Sequence, residues 1–162
     1  MKLLVFSDSH GSPLCMRQAL FRNRGTVDYA VFAGDGVNGF LALAAEFPDV
    51  TFRAVAGNCD FMTSCPLEEE IIADGVRILI VHGHKYGVKT SNTQLRLAAQ
   101  KRGFDIVIYG HTHEREEKYY PAEDGGKAIW MFNPGCAMAG DFGVIDIGAG
   151  GVLCSHGNVF DD

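Results

Sequence analysis

Asp, Asn and His gather in five short clusters along the chain: Asp8-Ser9-His10, Gly34-Asp35, Gly57-Asn58-Cys59-Asp60, His82-Gly83-His84 and Gly110-His111-Thr112-His113. These are oxygen and imidazole donors, a set that suits Zn, Mn or Fe and not a thiolate site. One tetrahedral zinc takes about four protein ligands. Seven candidates are present here: Asp8, His10, Asp35, Asn58, His82, His111 and His113. Seven fit two metals better than one, with a carboxylate shared. Two metals about 3.5–4 Å apart clamp an in-line displacement at phosphorus and generate hydroxide at neutral pH.

The residues that must position this chemistry precede each cluster. The runs KLLVFS (2–7), YAVFAG (29–34), TFRAVAG (51–57), VRILIVHG (76–83) and DIVIYG (105–110) are short, apolar and β-branched. Such runs predict strands buried on both faces. In an open α/β sheet, ligands bind just beyond the carboxyl ends of the strands. All five clusters are therefore expected along one edge of the molecule. Three helices are predicted between the strands. The first has Ser12 as N-cap and Pro13 at its first position, and runs to about Arg22. The second spans about Asn38 to just before Pro48. The third runs from Thr90 or Ser91 to Arg102 and is ended by Gly103. The last third turns β-rich, with KAIWMFN, FGVIDIG and GVLCSHG as strands and GAGG (148–151) as a hairpin turn. The polar stretch Glu114–Lys127 reads as a surface hairpin or loop. No repeat, linker or low-complexity tract divides the chain, so residues 1–162 are expected to form one α/β domain.

Composition narrows the function classes. The chain has 162 residues, 14 Lys and Arg against 20 Asp and Glu, and a formal charge of -6. That balance argues against a protein held to nucleic acid by a basic surface. No apolar run approaches the roughly 18 residues of a membrane span. The five cysteines are odd in number, form no CxxC pair and follow no export signal, which points to reduced thiols in the cytoplasm.

The ordered set DSH, GD, GN, HGH and GHTH resembles the calcineurin-like metallophosphoesterases. GNCD and the late Asn133-Pro134-Gly135 are similar to a small bacterial and archaeal phosphodiesterase subgroup of that family. The resemblance spans residues 4–135. It implies a four-layer α-β-β-α sandwich of two mixed sheets. It also implies that Asp8, His10 and His113 hold one metal, that Asp35 bridges, and that Asn58, His82 and His111 hold the second. The metals expected are two divalent ions, manganese first, with zinc, iron or nickel as alternatives. A hydroxide between them would be the nucleophile. Two divalent ions outweigh two carboxylates and a hydroxide, so the centre would attract an anionic phosphoester.

Most of the family carries His where this chain has Cys59. A thiol with an ordinary pKa of about 8.5 is a poorer general acid at neutral pH than an imidazole at about 6.5. The chain is thus expected either to favour good leaving groups or to recruit another acid, such as His84 or a water. The other reading of Cys59 is a small space-filler. Asp60 is read as capping a turn more than as orienting its neighbours. His84 has three readings: support for a ligand, substrate contact, or an exposed loop residue. Lys85, Lys89 and Arg115 read as solvated surface near the motifs. His156 reads as structural, and Asn133-Pro134-Gly135 as a rigid turn.

The expected activity is a binuclear phosphoesterase, most specifically a phosphodiesterase acting on a small phosphoester or nucleotide, without stable nucleic-acid or membrane binding. Its rival is a non-catalytic scaffold of the same fold, as in a retromer subunit.

Overall fold

A computed structural model describes residues 1–123 and 126–161. Ten strands form two five-stranded mixed sheets. The first sheet has the order β10-β9-β1-β2-β3, from Gly151–Asn158, Asp141–Gly148, Lys2–Phe6, Tyr29–Phe32 and Thr51–Ala54. The second has the order β4-β5-β6-β8-β7, from Glu68–Ala73, Val76–Val81, Ile106–Ile108, Ile129–Pro134 and Arg115–Tyr120. Strands β1, β2 and β3 run parallel, as do β5, β6 and β8, and the flanking strands are antiparallel.

Period-two alternation sorts the side chains of these strands into layers. Leu3, Val5, Val31, Ile78, Ile80, Ile106 and Ile108 face the seam between the two sheets. Leu4, Phe6, Ala30 and Phe32 face outward beneath α1 (Leu14–Arg22) and α2 (Val37–Leu41). Leu79, Val81 and Val107 face outward on the other side, beneath α3 (Thr93–Lys101). The result is the expected α-β-β-α sandwich, with the parallel strands buried on both faces. No helix among the described residues is long and apolar enough to cross a membrane.

Several local expectations are corrected. TFRAVAG is strand only over Thr51–Ala54 and lies at a sheet edge, so Thr51 and Arg53 are exposed. The first helix starts at Leu14 after Pro13, and no side chain caps it. The second is α-helical for one turn and continues as a 3-10 turn over Ala42–Glu46. The third begins at Thr93, because residues 87–91 are held in turns by hydrogen bonds to Gly87 O. The hairpin expected in the polar stretch after Glu114 is there, its first strand β7 pairing antiparallel with β8; residues 124 and 125 of that stretch lie outside the described residues. Strand β4 was not expected at all.

Candidate metal centre

The carboxyl ends of β1, β2 and β3 in one sheet meet those of β5, β6 and β8 in the other at a single edge. Backbone hydrogen bonds lock them there: Asp8 N donates to Gly34 O and His10 N to Asp35 O, both at 2.9 Å, and Gly110 N donates to His82 O at 3.1 Å. Asp8 joins the sheets. Its Oδ2 accepts from Ser7 Oγ at 2.6 Å and from the backbone N–H of His111 at 3.0 Å. The approach is so close that a Cβ on Gly110 would lie 1.8 Å from Ser7 Oγ, and glycine is required there.

The edge is also where the backbone is strained. Six non-glycine residues have positive φ, and five of them are Asp8, His10, Asp35, His111 and His113. The left-handed region is disfavoured for residues with a Cβ and clusters at functional sites. Here it turns each strand end sharply, so that its side chain reaches inward over the edge.

Asp35 Oδ1 accepts from Cys59 N at 2.8 Å, and its Oδ2 lies 3.3 Å from His82 Nε2. His82 is almost wholly buried. Its Nδ1 bonds Ala33 O at 2.7 Å and must donate, since a carbonyl only accepts. In the neutral ring Nε2 therefore carries the lone pair. That nitrogen is met by Asn58 Oδ1 at 3.0 Å and His111 Nδ1 at 3.2 Å. Around Asp8 the geometry is similar. His113 Nε2 lies 3.3 Å from Asp8 Oδ1, and His10 Nε2 lies 3.3 Å from His113 Nε2.

Charge shapes these groups. Burial acts most strongly on Asp35 and opposes its charge, but the hydrogen bonds from His82 and Cys59 outweigh burial and hold the carboxyl well below its usual range. His82 is the converse: burial disfavours the imidazolium, yet the Asp35 hydrogen bond and the charges of Asp8 and Asp35 raise its pKa. Burial, followed by the charges of His82 and Lys89, lowers His111; burial, followed by His82 and Lys85, lowers His84.

A divalent cation fits this arrangement. Asp8 Oδ1 is fully buried and has no hydrogen-bond partner among the described residues. A buried carboxylate oxygen left bare costs several kcal/mol, of order 1–3 or more. Imidazole nitrogens of His113 and His82 lie 3.3 and 3.9 Å from Asp8 Oδ1. Three donor groups have their ligand atoms within 4.8 Å of one another: Asp8, His10 and His113; Asp35, His82 and His111; and His10, Asp35 and Cys59. All seven residues picked out from the sequence lie along this edge.

The remaining candidates have other contacts. The Asp60 carboxylate accepts from the backbone N–H groups of Asp35, Gly36, Val37 and Gly57 at 2.8, 2.8, 3.1 and 2.9 Å, which ties the loops after β2 and β3 together. Cys59 is exposed at the rim, and the Asp35 hydrogen bond foremost, then burial, raises its thiol pKa. His84 opens a 3-10 turn, with its ring 5.5 Å from that of His82 and its Nδ1 buried without a partner among the described residues. His156 Nε2 bonds Asn133 O at 2.7 Å while its ring stacks on Phe132. Sequence reasoning missed two supports. Ser7 holds Asp8, and buried Asn133 donates from Nδ2 to Gly110 O at 3.1 Å and Thr112 Oγ1 at 3.0 Å, bracing the histidine loop. Asn133 carried the available signal, for it too ends a strand of the parallel set.

Three hollows adjoin the edge among the described residues. One of about 260 Å³ is lined by His10, Asp35, Asn38, Cys59 and Asp60. A larger cleft of about 770 Å³ lies on the outer side of Thr112, between Lys89, Asn92 and β7, and none of the seven donor residues lines it. The first hollow is lined by His10, Asp35 and Cys59 together, and a third, also of about 260 Å³, is lined by His82 and His84.

Residues 1–148 match the model of the calcineurin-like phosphoesterase superfamily domain. A probable metallophosphoesterase of Bacillus subtilis is 31% identical over 114 residues, 70% of this chain and 64% of that protein, so the chain spans just under two thirds of this relative's length. A phosphodiesterase of Methanocaldococcus jannaschii is 32% identical over 131 residues, covering 71% of this chain and 75% of its own length. Among solved structures, a predicted phosphoesterase of Streptococcus pneumoniae superposes with a TM-score of 0.79 at 24% identity, over 98% of this chain and 89% of its own. Vps29 of Entamoeba histolytica in complex with zinc superposes with a TM-score of 0.72 at 22% identity, over 98% and 99%. These last two likenesses concern the fold; the family match and the archaeal relative show that this chain belongs to the calcineurin-like phosphoesterase superfamily.

Proposed function

We propose that the chain is a metal-dependent phosphodiesterase in which one domain holds two divalent cations and cleaves small phosphodiesters or nucleotides in a reducing, cytoplasmic setting. Asp8, His10 and His113 would hold one cation, Asn58, His82 and His111 the other, and Asp35 would lie between them. Bound cations of this kind acidify a water for attack on phosphorus and offset the charge of the phosphoryl oxygens. The observation that carries the reading is the bare, buried Asp8 Oδ1 among converging imidazole nitrogens.

The protein's own residues do the positioning. Ala33 O fixes the His82 ring so that Nε2 points at the site. Asp60 holds the Asp35 and Asn58 loops in one frame. Asn133 and Asp8 fix the loop that carries His111 and His113. Cys59, whose thiol pKa is raised by the Asp35 hydrogen bond, and His84, whose imidazole pKa is lowered by burial, are both poor general acids at neutral pH. The reading therefore favours diesters whose leaving group needs little protonation.

The test is hydrolysis of bis-p-nitrophenyl phosphate by chelator-stripped protein resupplied with manganese, zinc, iron or nickel, beside metal analysis of the purified protein. Activity should require a cation and disappear in Asp35→Asn and His111→Ala. A second reading, a scaffold acting through protein contacts, draws on the Vps29 likeness and on Phe61 and Met62, 83% and 94% exposed next to Cys59 and Asp60. Absence of hydrolysis with every metal would favour it.

A further inference from the structure

The third donor group, His10, Asp35 and Cys59, is the one of the three that contains a sulfur. We infer that Cys59 is a metal ligand: its Sγ binds the cation on the His10 side and makes that position selective for thiophilic divalent ions such as zinc, cobalt or cadmium. The inference rests on the metal-centre reading and adds to it a ligand outside the seven.

Reach is the first argument. Donors that share one ion through bonds of about 2.0–2.3 Å lie at most about 4.6 Å apart. Three donors around one tetrahedral ion sit about 3.3–3.8 Å apart, and the His10, Asp35 and Cys59 donor atoms lie within 4.8 Å of one another, so side-chain rotations that close about 1 Å bring them onto one ion. The same three side chains line one hollow of about 260 Å³, which has room for a cation and a water. The second argument is placement. Cys59 sits on a short loop that cannot swing freely: its own N–H donates to Asp35 Oδ1 at 2.8 Å, and the next residue, Asp60, accepts the four backbone hydrogen bonds that span the β2 and β3 loops. The thiol is therefore held against Asp35 from the backbone outward. The third argument is independent of the cysteine. Asp8 Oδ1 is buried, bare and directed at His113, whose Nε2 lies 3.3 Å from that of His10, so the same corner already lacks a positive charge.

Ligand softness then decides which ion is favoured. Manganese and magnesium prefer carboxylate, carbonyl and water, and gain little from sulfur; zinc, cobalt and cadmium gain a strong bond. On binding, the Cys59 S–H bond breaks, the sulfur pair forms the bond to the cation, and the proton leaves to water.

The experiment uses the full chain, stripped with a chelator under reducing, oxygen-free conditions and titrated with Co(II). Absorption is recorded for the native protein, Cys59→Ser and Cys59→Ala. The native protein is expected to develop an intense near-ultraviolet sulfur-to-cobalt charge-transfer band together with the weaker visible ligand-field bands. Both variants are expected to lose the first and keep the second, and to shift in a zinc-against-manganese competition toward manganese. Ligand-field bands without charge transfer in the native protein would overturn the ligand role while leaving the metal centre intact. A charge-transfer band that persists in both variants would assign the sulfur to another cysteine and overturn it equally. Absence of all cobalt bands would overturn the metal centre and the inference together.

Discussion

Asp60→Asn tests whether one carboxylate holds the centre together. In the native chain Oδ2 accepts from Asp35 N at 2.8 Å and Gly57 N at 2.9 Å, while Oδ1 accepts from Gly36 N at 2.8 Å and Val37 N at 3.1 Å. Asparagine keeps one of these oxygens and turns an NH2 toward the other pair, so two backbone donors lose their acceptor. A hydrogen bond to a charged group contributes about 1.5–3 kcal/mol. Two lost bonds that share an acceptor and sit partly in water then cost about 3 kcal/mol. For a chain of this size that lowers Tm by about 6–12 °C. The assay is a thermal melt of the chelator-treated protein followed by circular dichroism, which keeps cation binding out of the measurement. The loops tied by Asp60 carry Asp35 and Asn58, so zinc affinity measured by calorimetry should also fall, by about 10- to 100-fold. A variant that melts within about 2 °C of the native protein would refute the reasoning.

Gly57→Ala would place a Cβ 2.1 Å from Asp35 Oδ1 and 2.5 Å from Asp35 N. The carboxylate must move, so zinc loading by elemental analysis should drop sharply, with about 1–3 kcal/mol lost in urea unfolding; normal loading would contradict the geometry. Among the thiols, exposed Cys59 should react first with Ellman's reagent at pH 8. Cys154, whose pKa burial pushes up to about 12, should react only after unfolding, and similar rates for the two would count against their placement. His113→Gly should raise the stability of the metal-free protein at pH 8 by about 0.5–1 kcal/mol, the left-handed cost relieved less the extra freedom of glycine. A lower urea midpoint for this variant would show that the imidazole contacts outweigh the strain.

The parallel strands and their terminal clusters were legible because strands buried on two faces need continuous apolar runs, and because glycine and polar donors interrupt those runs abruptly. The edges were not. Strand β4 reads EEEIIA, and Ile71 and Ala73 are its two buried residues, in the seam. Glu69, on the same face, pairs with Arg53 of the other sheet at the seam's edge, while Glu70 pairs with Arg77 and Glu68 with Arg102 on the opposite face, so three successive charges hide a strand. Strand β7, REEKYY, has no buried residue at all and is set by its ladder to β8 and by Arg115 bonding Asp141. The start of α1 misled for a different reason: Ser12 N bonds Ser9 O in the preceding turn, and the helix begins beyond Pro13. At the site the donors were legible from residue type. Their supports were less so, because Ser7 acts on its neighbour Asp8 and Asn133 on the loop after the adjacent strand β6, contacts that residue type alone does not announce.

The left-handed backbone at Asp8, His10, Asp35, His111 and His113 has an evolutionary consequence. Each position carries a conformational cost of about 1–2 kcal/mol, whether or not a cation is bound. Five such costs are comparable with the 5–15 kcal/mol by which whole domains are stable. In a lineage that stops using the cations, a change to glycine at His10 or His113, whose exposed side chains hold no backbone group in place, relieves that cost. The return path takes on that cost again before the first cation is held. Loss of the centre in this fold is therefore a ratchet, and a descendant retained for its surface would drift away from catalysis without selection against activity.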